Sequence, residues 1–356
     1  MDVLKLIHSS NEIEKRLIDE YSMSIYEMRL RYLVTRNWKI LQENSANLMQ
    51  EKFYTSKSEM TKLDEMYKIH SKIESIVIFG AGVDGIFTLN LLKNSKYKDE
   101  KIFFCDNDVN KQKEGVCGIK VISLDELVKN HRESIVIIGS RIYKIELYDQ
   151  ISKTSYPKER ILPDILRDYM GWQYFDYFEP KESEVFIDGG SFNGTTSLEF
   201  TQWATKGYDY IYSFEANSLV VDNCKETFKK YNLKGEVINK GLWNKSDVLL
   251  FDANKGQGSS IKSNGSEKIE TISIDEILKG NKATFIKMDI EGAEYNALLG
   301  SEKTIKKYRP RLAISVYHKP EDILEIPALL IEMDVDYKFA LRQYLPNGLE
   351  TILYAY

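Results

Sequence analysis

Cysteine is scarce in this chain: Cys105, Cys117 and Cys224 are its only three, and no two of them form a CxxC pair. An odd number without paired spacing excludes a disulfide framework or a cysteine zinc site as the organising element, and the expected compartment is a reducing cytoplasm. Also missing is any run of about 18 or more apolar residues. The opening MDVLKLIHSS has no basic stretch leading into an apolar one. The expectation is a protein that neither spans a membrane nor is secreted. Positive charge is not in excess, since 49 Lys+Arg against 54 Asp+Glu leave a formal charge of −5, which argues against a sequence-wide nucleic-acid or anionic-lipid footprint. Glycine and proline are absent from residues 1 to 70, so turn chemistry is missing there too.

What that first region does contain is helical periodicity. Ile13, Leu17, Ile18, Tyr21, Ile25, Met28 and Tyr32 recur at helix spacing, and Asn11 with Glu14 resembles a capping box, so a helix is expected to begin near Glu12. Polar sequence at 42–47 is expected to divide the segment further. Residues 1–71 therefore read as a helical N-terminal segment, a scaffold or an arm for homo-oligomer assembly. From residue 72 the period changes to short apolar runs, 76–79, 102–105 and 135–138, with Ser123 and Glu126 capping a short helix between the last two. Strands alternating with helices imply a small Rossmann-like domain over 72–153. Residues 154–180 are irregular and aromatic, with Pro157, Pro163, Tyr169, Trp172, Tyr174, Phe175, Tyr177 and Phe178, and read as a linker. A second series of runs at 185–187, 211–214, 237–238, 285–288 and 312–316 makes a larger α/β domain over 181–356. Its end carries Leu345-Pro346-Asn347-Gly348, whose Asn-Gly pair signals an antiparallel hairpin.

Two glycine loops follow strands. Gly80-Ala81-Gly82-Val83-Asp84-Gly85 is a GxGxxG between a strand and a helix, and Asp106 ends the next run, where a carboxylate can accept ribose hydroxyls. Gly80, Gly82, Gly85 and Asp106 are thus a candidate second nucleotide site. Three readings stay open: a nucleotide fold used only for packing, nucleotide or nucleotide-sugar binding, and NAD redox chemistry. Half a Rossmann sheet without a hydride-transfer residue weakens the last. In the second loop, Asp188-Gly189-Gly190-Ser191-Phe192-Asn193-Gly194, the acid precedes the glycines. That order suits a ligand with an ammonium and a carboxylate rather than a pyrophosphate: Asp188 orients the loop and the ammonium, and Gly190 and Gly194 admit close backbone approach. Glu215, in Ser213-Phe214-Glu215-Ala216-Asn217, stands at the next strand end to accept a ribose diol.

From Glu184 onward the sequence resembles the FkbM family of S-adenosylmethionine-dependent methyltransferases. The resemblance is carried by Lys287-Met288-Asp289-Ile290-Glu291-Gly292-Ala293-Glu294, matching K-x-D-x-E-G-x-E, and by Tyr317-His318 at the next strand end. Ala216 replaces a proline that members often carry there, and the carboxylate before it is intact. The resemblance implies the class I methyltransferase fold, a seven-stranded α/β sheet whose last two strands form the hairpin, and an N-terminal Rossmann-like half-domain of the kind attached to some members. It implies S-adenosylmethionine held by Asp188, Gly189, Gly190, Asn193, Gly194, Glu215, Ala216, Asn217 and Asp289. It also implies O-methylation, frequently of sugar hydroxyls in glycans or natural products. The alternative activity is an NAD or nucleotide-sugar enzyme centred on the first loop.

Methyl transfer to an alcohol needs alignment and a base. His318, at a strand's carboxyl end, is the candidate base or a positioning donor, and packing is its third reading. Asp289, Glu291 and Glu294 stand beside it. If a helix starts near Glu291, Glu291 and Glu294 share a face. One reading joins them with His318 around Mg or Mn. The reading with fewer assumptions has no metal: Asp289 contacts the cofactor, Glu291 orients the acceptor or His318, and Glu294 caps or is exposed. Lys287 reads as a paired structural lysine, with a lysine base as the alternative. The polar segment Gly256-Gln257-Gly258-Ser259-Ser260 reads either as a closing loop or as plain surface.

Overall fold

The computed structural model describes residues 3–41, 61–93, 95–140, 143–162, 172–175, 177–252, 260–261, 267–344 and 349–356. The polar stretch 42–47, Pro163, Tyr169, residues 256–259 and the Leu345–Gly348 turn lie outside them.

The chain divides into two compact units, one made of residues 1–52 and 173–356 and the other of residues 53–172. The second unit is a five-stranded parallel sheet in the order β3-β2-β1-β4-β5, with β1 Ile76–Phe79, β2 Ile102–Cys105, β3 Val121–Ile122, β4 Ile135–Ile138 and β5 Ile161–Leu162. Every residue of β1 and β4 is buried, as uninterrupted apolar runs in a parallel sheet require. Ser123 caps helix Leu124–Asn130 by accepting from the Glu126 amide at 3.1 Å. Helix Thr61–Ile69 also belongs here, where Asp64 accepts from Lys96 Nζ at 2.6 Å and from Tyr97 Oη.

In the first unit the main sheet has seven strands in the order β15-β16-β14-β13-β6-β7-β8, comprising β6 Glu184–Gly189, β7 Tyr208–Phe214, β8 Gly235–Ile238, β13 Phe285–Met288, β14 Arg311–Ser315, β15 Phe339–Gln343 and β16 Thr351–Ala355. β16 runs antiparallel to both neighbours, while the pairs among β14, β13, β6, β7 and β8 are parallel. This is the class I methyltransferase order with its terminal hairpin. A separate four-stranded sheet, β11-β10-β12-β9, follows β8 in sequence, with β9 Gly241–Leu242, β10 Asp247–Asp252, β11 Ser260–Ile261 and β12 Glu267–Ile272.

The N-terminal helical segment does not stand as one body. Helix Val3–Glu14 stops where a helix was expected to start, and a new helix, Glu20–Thr35, begins after Asp19, whose carboxylate accepts from the Ser22 amide at 2.7 Å. Between them Leu17 forms a bridge with Phe339 on the sheet edge, and the Ile18 amide donates to the Phe339 carbonyl at 3.1 Å. The apolar spacing runs on across the break because both helices and the bridge bury onto one core, which includes Ile13, Ile25 and Met28 with Leu329, Phe339 and Leu353. The expected arm is therefore packed on its own unit.

In the aromatic 154–180 stretch, where the chain passes from one unit to the other, the described residues at the two ends pack into different units. Tyr156 and β5 are built into the second unit, and Phe175 and Phe178 into the first. Phe175 lies 5.6 Å from the rings of Trp203 and Phe285, and Phe186 stacks on Phe200 at 4.3 Å. Burial of several large rings is worth about 1.5–3 kcal/mol each, so Phe175 and Phe178 help to hold the sheet of the first unit.

Candidate functional site

The second glycine loop and the Asp289 strand end are in direct backbone contact. The Asp289 amide donates to the Gly189 carbonyl at 3.1 Å, and Gly190 has φ +76°. A Cβ on Gly190 would lie 1.9 Å from the Asp289 carbonyl oxygen, so only glycine fits there. Gly194 opens helix Thr195–Trp203 with φ +80°, and Asn193 Oδ1 accepts from the Thr195 amide at 3.2 Å and hydroxyl at 2.7 Å.

Beneath the loop is a buried ion pair. Lys287 Nζ is 3.1 Å from Asp188 Oδ1 and donates to the Gly189 and Gly190 carbonyls at 2.8 Å each, and Ser197 Oγ donates to Asp188 Oδ2 at 2.7 Å. With both oxygens engaged inside the protein, Asp188 acts on the loop, and its contacts match the orienting role rather than a free ammonium receptor. Lys287 is the paired structural lysine of the two readings.

Glu215 lies at the end of β7, buried. Its Oε2 accepts from the Phe192 amide and its Oε1 from the Asn217 amide, both at 2.8 Å. Burial pushes its carboxyl above the usual range, against the pull of those two amides. Asn239 Nδ2 donates to the Glu215 carbonyl at 2.8 Å, and Asn217 Oδ1 accepts from the Leu219 amide at 2.9 Å, which fixes the strand end around Ala216.

Across the loop, Asp289, Glu291, Glu294 and His318 converge. His318 Nδ1 is 2.9 Å from Glu294 Oε1, and Nε2 is 3.3 Å from Asp289 Oδ1 and 3.5 Å from Glu291 Oε2. Burial alone would lower the imidazole pKa, but Glu294, Asp289 and Glu291 together hold it up to about 10. The three carboxylates around it thus favour the protonated form of the His318 ring. Burial pushes Glu291 up to about 7 against the His318 charge. Asp289 goes the other way: burial opposes it, but His318, Lys287 and the Tyr174 hydroxyl hold it below the usual carboxylate range.

The helix in this segment begins at Glu294 rather than near Glu291, because Glu291 has φ +55° and Gly292 φ +91°, a left-handed pair that no helix contains. Glu294 is fully buried and its Oε1 accepts from the Ile290 amide at 2.8 Å, so the exposed alternative is excluded.

Three participants carried no sequence assignment of their own. Tyr174 Oη donates to Asp289 Oδ2 at 2.7 Å and Tyr317 Oη to Oδ1 at 3.2 Å. Tyr317 adjoins His318 in the motif and was within reach, whereas Tyr174 sits in the aromatic stretch without a motif. Arg29, from helix Glu20–Thr35, donates to Thr351 Oγ1 at 2.7 Å and to the Val316 carbonyl at 3.4 Å, bracing the strand end that carries Tyr317 and His318. No local pattern links residue 29 to residue 351.

In the other unit the first glycine loop is as expected in place. Gly80 has φ +108°, and a Cβ on Gly85 would lie 1.9 Å from the Gly80 carbonyl oxygen, so the helix packs tightly on the strand turn; nothing lies within 4 Å of a Cβ on Gly82. Asp106 is spent on its own surroundings: Oδ2 accepts from the Ala81 amide at 2.8 Å and from Lys111 Nζ at 3.0 Å, and Oδ1 from the Asp108 amide at 2.9 Å. Those contacts tie the Asp106 carboxylate to the loop and leave the three readings of this site open. No helix among the described residues is long and apolar enough to cross a membrane.

Comparison with known proteins gives a domain match. Residues 188–339 match the methyltransferase FkbM domain, spanning both the glycine loop and the acidic cluster. No curated protein matches the chain. Among solved structures, methyltransferase FkbM from Methylobacillus flagellatus KT is 17% identical over 88% of this chain and 99% of that one, with a TM-score of 0.46. Aeropyrum pernix fibrillarin in complex with natively bound S-adenosyl-L-methionine is 10% identical over 50% and 69%, with a TM-score of 0.34. A SAM dependent methyltransferase from Aquifex aeolicus is 17% identical over 49% and 82%, at 0.30. The assignment of the first unit rests on the strand order and the domain match rather than on those likenesses.

Proposed function

We propose that this methyltransferase of the FkbM family takes its methyl group from S-adenosylmethionine and places it on a hydroxyl oxygen of a saccharide or glycan precursor. The observation that carries the reading is the contact between the two half-sites: the Gly190 turn lies against the Asp289 carbonyl. A donor held by the glycine loop and a hydroxyl held by the Asp289, Glu291 and His318 cluster would then be neighbours, as in-line displacement requires. The loop amides and the Glu215 carboxylate supply the donor's polar contacts, with Glu215 retaining acceptor capacity on each oxygen for a ribose diol. Tyr174 and Tyr317 fix the Asp289 carboxylate from two sides.

Glu291 is the group we assign to receive the hydroxyl proton. It is partly exposed, its side chain retaining 32% of its surface, and its affinity for a proton is raised toward neutrality. Asp289 and His318 position the acceptor. A sugar hydroxyl fits because an alcohol needs such a base, and because an acidic cluster suits a neutral polyol better than an anion. The test is calorimetry with S-adenosylhomocysteine together with transfer of labelled methyl from S-adenosylmethionine to a panel of free and nucleotide-linked sugars. Glu215→Ala should abolish binding, and Glu291→Gln should keep binding while lowering turnover by about a hundredfold or more. Unchanged affinity in the Glu215 variant would refute the donor site, and labelling of carboxylates or amines instead of hydroxyls would refute the acceptor.

A further inference from the structure

Among the described residues of the first unit the buried carboxylates are paired with care, and one oxygen stands out. Asp188 has Ser197 and Lys287. Glu184 has the Lys181 amide, the Thr284 hydroxyl and Arg311. Glu294 differs: although fully buried, its Oε2 has no hydrogen-bond partner. Neither nitrogen of His318 makes a hydrogen bond of regular geometry, although its side chain is only 9% exposed and Nδ1 lies in ion-pair contact 2.9 Å from Glu294 Oε1. A buried carboxylate oxygen without a partner is costly.

Charge tells the same story. Asp289, Glu291 and Glu294 surround a single imidazole, and Asp322, 3% exposed, stands close by. Of the neighbouring cations, Lys287 is committed to Asp188 and Lys319 Nζ to the Gly292 carbonyl, and the buried Arg29 offsets Asp322, which leaves Asp289, Glu291 and Glu294 around His318. Acid thus exceeds base at this strand end.

We propose that Asp289, Glu294 and His318 bind one divalent cation of the manganese and magnesium class. One donor atom from each of the three lies within 4.8 Å of the others. Bonds of about 2.1 Å put adjacent ligands about 3 Å and opposite ligands about 4.2 Å apart, so small side-chain adjustments close the sphere. Two carboxylates with one imidazole are a hard to borderline donor set, which fits Mn²⁺ first and Mg²⁺ second. The orphaned Glu294 oxygen and one nitrogen of His318, in its neutral form, supply the missing coordination. The tyrosine hydroxyls on Asp289 act as outer supports that hold a ligand in place. Sequence alone prefers the metal-free reading. What reverses that preference is the burial of Glu294 and the lack of any partner for its second oxygen.

The cation's remaining positions would face the acceptor side of the cluster, where a vicinal diol could ligate, and that clause rests on the proposed methyl-acceptor reading. Binding itself does not, and is measured without donor or acceptor. Full-length protein stripped with EDTA and dialysed is titrated with MnCl₂ alone, with free Mn²⁺ read by its electron paramagnetic resonance signal. One equivalent should bind, and Glu294→Gln and His318→Gln should each weaken it by at least about tenfold. Glu302→Gln, on an exposed pair with Lys306, should change nothing. Thermal unfolding of each variant identifies any that does not fold, and the remaining one carries the comparison. No bound equivalent at about 1 mM Mn²⁺, or binding retained within about twofold in a folded variant, overturns the proposal. S-adenosylhomocysteine calorimetry on the same stripped protein separates the outcomes: cofactor binding without Mn²⁺ binding removes the cation and leaves the methyl-donor reading standing.

Discussion

Lys287→Met is the most demanding test of how the glycine loop is held. Methionine keeps an unbranched stem and removes the charge. Asp188 has no exposed side-chain surface and Lys287 retains only 2%, so water cannot take the lost partner's place. Removing one member of a buried pair costs about 3–5 kcal/mol. The Gly189 and Gly190 carbonyls also lose their shared donor, which places the expected loss toward the upper end of that range. The double variant Asp188→Asn with Lys287→Met removes both charges while leaving Ser197 an acceptor, and should recover to within about 2 kcal/mol of wild type. Urea unfolding of the full chain is followed by tryptophan fluorescence, since Trp38, Trp203 and Trp243 lie in the first unit and Trp172 alone in the second. Two transitions are fitted, one per unit. Addition of about 0.5 M KCl should leave the difference intact because buried charges are screened little. A wild-type midpoint in Lys287→Met would refute the reasoning, as would a double variant that falls as far as the single one.

Gly190→Ala forces a methyl group to within 1.9 Å of the Asp289 carbonyl at φ +76°, a conformation costing about 1–2 kcal/mol before the clash. Calorimetry should show S-adenosylhomocysteine affinity reduced more than about tenfold, and wild-type affinity would show that the loop does not form the donor site. Arg29→Met removes the buried donors to Thr351 and Val316 and should destabilise the first unit by about 1–3 kcal/mol. The urea transition of that unit is the readout, and no change would detach helix Glu20–Thr35 from the strand end. In the second unit, burial opposes ionisation of Asp106, but the Asp108 and Ala81 amides and Lys111 hold its pKa below the ordinary 3.8. A depressed carboxylate stabilises the fold above the unfolded value and loses that contribution as pH falls through the folded one. Asp106→Asn should therefore reduce hydrogen-exchange protection of β1 amides at neutral pH, with the gap to wild type closing below pH 3.8, and a gap constant with pH would remove the ion as its cause.

Legibility in the sequence followed the range of the interaction. Asp188, Glu215, Asp289 and His318 stand at strand ends, and a strand announces itself through consecutive apolar residues, so their placement at one edge of a parallel sheet could be read locally. The hairpin was legible for a similar reason. Helix boundaries at the N-terminus were not, because Ile13, Leu17 and Ile25 keep their spacing across residues that bridge to Phe339. Apolar period reports which core a residue joins, and here helix and extended segment join the same one.

The sequence by itself determined the strand-and-glycine framework, the acidic motif and the resemblance to the FkbM methyltransferase domain, because each is written in residues close together in the chain. Only the tertiary structure decided which charges remain available. It committed Lys287 to Asp188 across 99 residues and Asp106 to its own loop, brought Tyr174 to Asp289 across 115, and left Glu294 buried with an unpartnered oxygen beside His318. The physical reason is that a carboxylate's function depends on burial and on what reaches it. Both are set by contacts between distant segments, to which local spacing is blind.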